Sequence, residues 1–100
     1  MKLLTIAIPC YNSEAYMEHC IHTLLAGGDE VEILIVDDGS TKDRTAEIAD
    51  AYEKKYPGIC RAIHQENKGH GGAVNTGLAN ATGIFFKVVD SDDWVNEEAY

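Results

Sequence analysis

Four short apolar runs alternate along the chain with longer stretches whose apolar residues recur every three or four positions. The runs are rich in β-branched residues and predict strands over residues 3–8, 31–36, 60–64 and 84–89. The longer stretches predict helices over residues 13–26, 44–56 and 73–81. Because strand and helix alternate strictly, we predict an α/β fold: a three-layer open sheet of mainly parallel strands with flanking helices.

Individual residues mark the expected ends and contacts of these elements. Pro9 cannot donate to a β-ladder and is expected to end the first strand. Ser13 and Asp43 are expected to cap the helices that follow them. Gly77 is expected to let the third helix approach the sheet closely, since glycine in a helix otherwise costs about 1 kcal/mol relative to alanine. The run 84–89 is expected to be buried on both faces, as strands of a parallel sheet are.

The most polar clusters of the sequence follow the predicted strands. They are Tyr11-Asn12, Asp37-Asp38, the glycine-rich loop 65–72 and the acidic segment Asp90-Ser91-Asp92-Asp93. In α/β folds, ligands bind beyond the carboxyl ends of the parallel strands, which meet at one edge of the sheet. The order of the clusters therefore predicts a ligand site at that edge.

The acidic segment has the chemistry of a cation site. Side chains alternate sides in an extended chain, so Asp90 and Asp92 point the same way and repel each other unless a cation lies between them. Mg²⁺ bound together with phosphate groups is usually held by one or two carboxylates. The alternative is a solvated acidic turn in which Asp92 or Asp93 caps a following helix.

The turn that follows the first predicted strand lacks the sequence of two known kinds of nucleotide site. Residues 9–14 contain no glycine, whereas dinucleotide-binding folds and P-loops need a glycine-rich turn there. Tyr11 instead offers an aromatic face on which a base could stack, or it is a packing residue. Asp37 and Asp38 could accept hydrogen bonds from a base or a ribose, or could serve the turn itself, and we favour Asp38 as the one functional acid.

The glycine-rich loop exposes backbone N–H groups where a helix begins, which suits an anion or a closely approaching ligand. A flexible connection is the alternative. His19, His22 and His64 stand in no motif, and His70 is of the kind that is solvated in most such loops.

Composition narrows the class of partner and the compartment. The formal net charge of −9 argues against nucleic acid as a partner, because phosphate backbones are bound by Lys and Arg. The three cysteines, Cys10, Cys20 and Cys60, have no metal-type spacing and suit a reducing compartment. The sequence shows no membrane segment, so we expect a cytoplasmic chain, held at the inner membrane face only through parts outside these residues.

Four motifs in order resemble those of family 2 glycosyltransferases. They are the segments 8–14 (Ile-Pro-Cys-Tyr-Asn-Ser-Glu), 36–43 (Val-Asp-Asp-Gly-Ser-Thr-Lys-Asp), 67–77 (Asn-Lys-Gly-His-Gly-Gly-Ala-Val-Asn-Thr-Gly) and 89–93 (Val-Asp-Ser-Asp-Asp). The resemblance covers nearly the whole chain. It implies the Rossmann-like N-terminal half of the GT-A fold and an inverting hexosyltransferase-type enzyme that uses a nucleotide-sugar donor, most readily a UDP-sugar.

The resemblance also implies roles for individual residues. Tyr11 packs on the base, Asp38 contacts it, and Asp90-Ser91-Asp92 is the DxD motif that holds Mg²⁺ or Mn²⁺. The metal-binding acids are expected to be Asp92 with Asp90 and Asp93. The expected nucleotide-sugar-binding residues are Pro9, Tyr11, Asn12, Glu14, Asp37, Asp38, Gly69, Asn75, Asp90 and Ser91.

Family members continue well past the DxD motif, into an acceptor site and a catalytic base. An inverting transfer needs a base to deprotonate the attacking hydroxyl, and we expect none within residues 1–100. The chain is therefore expected to be a truncated, donor-binding part that alone transfers no sugar to its glycan or lipid-linked acceptor. An open sheet with an uncovered edge favours pairing, so a homodimer is one expected state.

Two other function classes compete with this interpretation. One is a non-catalytic module that binds a nucleotide or nucleotide-sugar. The other is an α/β protein with acids at its strand ends, such as a phospho-receiver domain, which needs a lone phosphorylatable aspartate and a lysine late in the chain. The order of the four motifs argues against the receiver domain.

Overall fold

The computed structural model describes residues 2–40 and 43–90. Its elements are β1 (Leu4–Cys10), α1 (Glu14–Leu24), a 3₁₀ segment (Leu25–Glu30), β2 (Val31–Asp38), α2 (Thr45–Lys55), β3 (Cys60–Gln65), α3 (Gly69–Asn80) and β4 (Phe85–Val88). Each predicted strand and helix is present at its predicted place in the sequence, with bounds shifted by a few residues.

The described strands form one sheet in the order β3-β2-β1-β4, and every pairing is parallel. In the register of the two central strands, Leu4 lies opposite Val31 and Cys10 lies opposite Asp37. The prediction of an α/β fold with a parallel sheet is confirmed. Since β1 and β2 end level with each other, the residues that follow them share one edge.

Alternation along β2 separates the two faces of the sheet. Ile33 and Ile35 belong to the larger core cluster, which also contains α1 residues such as Met17 and Ile21. Leu34 and Val36 lie on the other face, in a smaller cluster with Ala73 of α3. The sheet is therefore the middle of three layers, with α1 and α2 on one face and α3 on the other.

Gly77 makes the approach of α3 to the sheet possible. A Cβ atom added at Gly77 would lie 2.6 Å from the Cβ of Ala7 on β1, much closer than two such atoms pack. The expectation that this glycine permits close helix–sheet contact is confirmed.

Pro9 does not end β1, contrary to the prediction. It lies inside the strand, opposite Val36 of β2. The last β1–β4 pair is Ala7–Val88, and the Ala7 carbonyl accepts a hydrogen bond from Val89 N. Bonds from one strand alternate between its neighbours, so the nitrogen of Pro9 faces the β4 side beyond this last pair, and the missing N–H interrupts no ladder.

The elements next to the ligand edge are longer than predicted. Strand β2 includes Asp37 and Asp38, which we had placed in a turn, and β3 continues through Gln65. Helix α3 begins at Gly69, so the glycine-rich segment supplies its first turn instead of a separate loop.

Strand β4 is not buried on both faces, contrary to the prediction. Its residues alternate between exposed and partly buried, and Phe85 is 62% exposed. Within the described part of the chain, β4 is an edge strand that pairs with β1 alone, whereas the prediction assumed that its apolar composition meant a central position.

The caps of the first two helices are shared. Ser13 precedes α1 but makes no side-chain cap bond. Asp43 caps both helices: its Oδ2 accepts a hydrogen bond from Glu14 N of α1 (2.9 Å), and its Oδ1 accepts one from Thr45 N of α2 (3.0 Å). Burial opposes the charge of Asp43, but the Thr45 hydroxyl and these two N–H groups stabilise the carboxylate and lower its pKa. No helix among residues 2–40 and 43–90 is long and apolar enough to cross a membrane.

Candidate functional site

Two adjoining cavities open at the carboxyl ends of β1 and β2. Pro9, Tyr11 and His70 line both of them. The inner compartment is completed by Cys10, Asp38, Asn67, Gly69 and Ala73. The outer compartment is completed by Asn12, Ser13, Tyr16 and Asp90. All four polar clusters predicted from the sequence thus contribute to one continuous site.

The turn after β1 places Tyr11 between the two compartments. Tyr11 N donates to the hydroxyl of Ser13 (3.1 Å), and Asn12 N donates to the hydroxyl of Ser40 (2.9 Å). Asn12 has a φ of 48°, a left-handed conformation that asparagine tolerates better than most residues. The tyrosine side chain is 51% exposed, so its ring is available to a ligand.

Asp38 is the acid of the inner compartment. The residue is 4% exposed, and its Oδ1 accepts hydrogen bonds from Lys68 N (2.8 Å) and from the amide of Gln65 (2.9 Å). Neither bond uses Oδ2, and no described residue donates to that atom. The carboxylate is therefore oriented through one oxygen and keeps the other as an acceptor.

Asp37 has a different task. Its Oδ1 accepts a hydrogen bond from Ser40 N (2.9 Å), and its Oδ2 lies 2.9 Å from Nδ1 of His64. Asp37 lines neither compartment. Its Oδ1 holds the turn that also orients Asn12 through Ser40, and its Oδ2 contacts His64 on β3. Because both oxygens are engaged, this arrangement favours Asp38 as the ligand-binding acid.

His64, to which the sequence analysis assigned no role, joins three elements. Its Nδ1 contacts Asp37 on β2, and its Nε2 lies 2.7 Å from Oδ1 of Asp50 on α2. Carboxylates only accept, so both ring nitrogens carry hydrogen when both bonds form. The bond to Asp50 and then the bond to Asp37 raise the pKa of His64 above its ordinary value. The parallel register, which puts His64 opposite Asp37, is the signal that would have revealed the pair.

We expect the His64 contacts to stabilise the fold more at low pH than at high pH. The folded pKa is raised, so the contribution is complete below the unfolded pKa of about 6.5 and is lost as pH rises through the folded pKa. The side chain is 42% exposed, and solvent screening limits the effect to about 1 kcal/mol or less. Thermal melts at pH 6 and pH 8 measure how much Tm changes between the two pH values. This change should be smaller for His64→Gln than for the unsubstituted chain, and an equal change would contradict the assignment.

The start of α3 brings His70 to the fourth cluster. Nε2 of His70 lies 2.7 Å from Oδ1 of Asp90. Gly39, at a φ of 77°, lets the turn after β2 approach this segment, since a Cβ there would lie 2.7 Å from Asn67 N. Asn67 in turn accepts a hydrogen bond from Gly69 N through its Oδ1 (3.2 Å).

The predicted metal site lies only partly within the described residues. Asp90 is described and lines the outer compartment, whereas Ser91, Asp92 and Asp93 lie outside the described residues. Among the described residues, no group of three His, Cys, Asp or Glu side chains could hold a metal ion. The carboxylate of Asp90 suits a hard divalent cation, which takes its remaining ligands from phosphate and water.

Besides Asp37, two predicted site residues among the described ones are not brought to the compartments. Glu14 accepts a hydrogen bond from Arg44 N (3.2 Å), and this contact joins the starts of α1 and α2. Asn75 is exposed on α3. Neither lines the inner or the outer compartment.

Comparison with known proteins shows the family of the chain. The family described as "Glycosyl transferase family 2" matches residues 5–100. The chain belongs to this family. It is 42% identical, over its whole length, to the uncharacterized glycosyltransferase EpsJ of Bacillus subtilis, of which it covers 29%.

Two solved structures share the fold of this chain. The structure of residues 1–349 of S. aureus TarS in complex with UDP matches with a TM-score of 0.84 and 34% identity, over 99% of this chain and 30% of that TarS fragment. A mannosyltransferase, PcManGT from Pyrobaculum calidifontis in complex with GDP-Man and Mn²⁺, matches with a TM-score of 0.80 and 26% identity, over 91% of this chain and 28% of that protein. The chain spans less than a third of the length of these relatives.

Proposed function

We propose that the chain is the donor-binding part of a metal-dependent, inverting glycosyltransferase that takes a UDP-sugar and transfers the sugar to an acceptor hydroxyl. The observation that carries the proposal is the continuous site in which the oriented carboxylate of Asp38 and the ring of Tyr11 lie beside Asp90. Family membership and the UDP complex of TarS support this choice of ligand.

The inner compartment suits the uracil base. Uracil presents an N–H group at its edge, which matches the acceptor oxygen that Asp38 keeps after its bonds to Gln65 and Lys68. Tyr11 offers its exposed ring for stacking, and base–aromatic stacking contributes about 1–3 kcal/mol. Together these two residues would fix the base by its edge and by its face.

The outer compartment suits the ribose and the diphosphate. Asp90 would hold the divalent cation together with Asp92 and Asp93, and Mg²⁺ or Mn²⁺ there would neutralise the charge of the diphosphate as the sugar leaves. The Mn²⁺ complex of PcManGT supports this assignment. Pro9 and Tyr11, which line both compartments, would keep the donor continuous from base to phosphate.

The remaining parts of the proposal concern the rest of the enzyme. The acceptor site and the base that deprotonates the acceptor hydroxyl would lie outside residues 1–100, and the acceptor would be a glycan or a lipid-linked glycan. We place the reaction in the cytoplasm, which the three buried cysteines, none of them in a disulfide bond, support.

We expect UDP to bind much more tightly with Mn²⁺ than in EDTA, because the diphosphate and the acids of residues 90–93 repel each other without a cation. Isothermal titration calorimetry of the chain with UDP in both conditions tests this. Asp92→Asn should remove most of the metal dependence, whereas Glu53→Gln, an exposed acid on α2, should leave it unchanged. Equal affinity in Mn²⁺ and EDTA would show that the acidic segment does not hold a metal for the ligand.

A further inference from the structure

His70 lines the site, and neither the motifs nor the family comparison assigns it a role. It lies in the first turn of α3 and lines both compartments. Its side chain is 64% exposed, so the ring does not serve the core. Its ring contacts Asp90 at the rim where the two compartments meet.

The rim of the two compartments carries acids, and no lysine or arginine is among the described residues that line it. The acids are Asp38 and Asp90, and the ring of His70 lies beside Asp90. A diphosphate ligand brings further negative charge into the same space. A metal ion offsets part of this charge, and a side-chain N–H donor beside the metal would offset more.

The geometry shows that His70 already presents such a donor. A carboxylate can only accept, so the 2.7 Å contact requires that Nε2 of His70 carries the hydrogen. The side chain of His70 is 64% exposed, so other atoms do not enclose the ring and it can turn from Asp90 to a neighbouring anion.

We propose that His70 binds the diphosphate of the nucleotide ligand, its ring N–H donating to a phosphate oxygen in place of Asp90. This inference rests on the proposed function and adds a phosphate-binding residue to it. The division of the site supports the assignment: Asp38 and Tyr11 lie where the base would be read, whereas His70 lies between them and Asp90. His70 should therefore distinguish UDP from uridine, which lacks the phosphates.

The test compares uridine and UDP binding to the unsubstituted chain and to His70→Ala, in EDTA and in Mn²⁺, by NMR titration and calorimetry. We expect His70→Ala to weaken UDP binding about tenfold or more in both conditions and to leave uridine binding unchanged. His70→Gln keeps a side-chain N–H donor and should recover part of the UDP affinity. His19→Ala, which removes an exposed histidine outside both compartments, should change neither affinity.

The other outcomes have distinct meanings. A loss confined to Mn²⁺ would overturn the proposal and leave His70 as a residue that only orients Asp90 for the metal. Equal losses for uridine and UDP would also overturn it, because His70 would then serve the base or the fold. Failure of the unsubstituted chain to bind either uridine or UDP would overturn the proposed function itself, and this inference with it.

Discussion

Glu32→Ala is expected to lower the free energy of unfolding by about 3 kcal/mol. This is the largest loss of stability that we predict for substitution of a buried polar residue. Glu32 is 5% exposed and lies near the amino end of the central strand β2. Its Oε1 accepts hydrogen bonds from the Thr5 hydroxyl and from Thr82 N, each at 3.0 Å, and its Oε2 lies 3.3 Å from Nη1 of Arg61. Removing the carboxylate leaves the buried Thr5 hydroxyl, and the more exposed donors of Thr82 and Arg61, without this acceptor.

The same contacts give this contribution a pH dependence of defined sign. Burial opposes the charge of Glu32, but the donors from Thr82, Thr5 and Arg61 outweigh it and lower the pKa below the ordinary 4.5. A lowered folded pKa means that the contribution is complete above the unfolded pKa and is lost as pH falls through the folded pKa. Denaturant unfolding of Glu32→Ala should therefore differ least from that of the unsubstituted chain at the acid end of the range.

Matched variants separate this network from a general effect of losing charge. Glu53→Ala removes an exposed glutamate on α2 and should change the free energy of unfolding by no more than about 0.5 kcal/mol. Glu32→Gln keeps two polar atoms in place and should cost less than Glu32→Ala. A loss of less than 1 kcal/mol for Glu32→Ala would mean that water replaces the carboxylate without strain.

The network also connects the amino ends of the strands to the candidate site at their carboxyl ends. The Thr5 hydroxyl donates to Glu32 and accepts a hydrogen bond from Gly83 N (2.8 Å). Gly83 lies just before β4, and a Cβ there would be 2.6 Å from Thr5 N. These contacts set where β4 begins. The four paired residues Phe85–Val88 follow, and Asp90 comes two residues after the last of them.

The sequence pattern predicted the elements well because each rests on local spacing of apolar residues. It could not predict the role of Glu32, which stood out only as one polar residue in an apolar run. Its partners lie 27, 29 and 50 residues away along the chain, and no local pattern connects them. The exposure of β4 could not be predicted either, because the composition of a strand does not reveal its position in the sheet.

The candidate site divides in the same way. Tyr11, Asp38 and Asp90 could be proposed from sequence because each follows a predicted strand, and strand ends share an edge in a parallel sheet. His64 and His70 could not, because their roles depend on partners in other elements, Asp37 with Asp50 and Asp90 respectively. Predicting these pairs requires the strand register and the true start of α3, which the sequence pattern placed at residue 73 instead of Gly69.

Asp38→Asn is expected to weaken uridine binding by about ten- to a hundredfold, the range for losing a hydrogen bond to a charged group. The substitution is nearly isosteric, and the amide oxygen can still accept the bonds from Gln65 and Lys68 that Oδ1 accepts now. The atom that faces the base becomes an NH₂ group, which donates where the uracil N–H needs an acceptor. Calorimetry or NMR titration with uridine measures the loss, and thermal melts should show little change in Tm.

A modified ligand identifies the atom that Asp38 binds. 3-Methyluridine lacks the N–H at the base edge, so the unsubstituted chain should bind it much more weakly than uridine, while Asp38→Asn should show a smaller difference between the two ligands. Tyr11→Ala should weaken both ligands by the same factor, because stacking on the ring does not read the base edge. Asp50→Asn, on α2 and outside both compartments, should leave both affinities unchanged. If the affinity falls from uridine to 3-methyluridine by the same factor in Asp38→Asn as in the unsubstituted chain, Asp38 does not contact the base. The inner compartment then holds another part of the ligand.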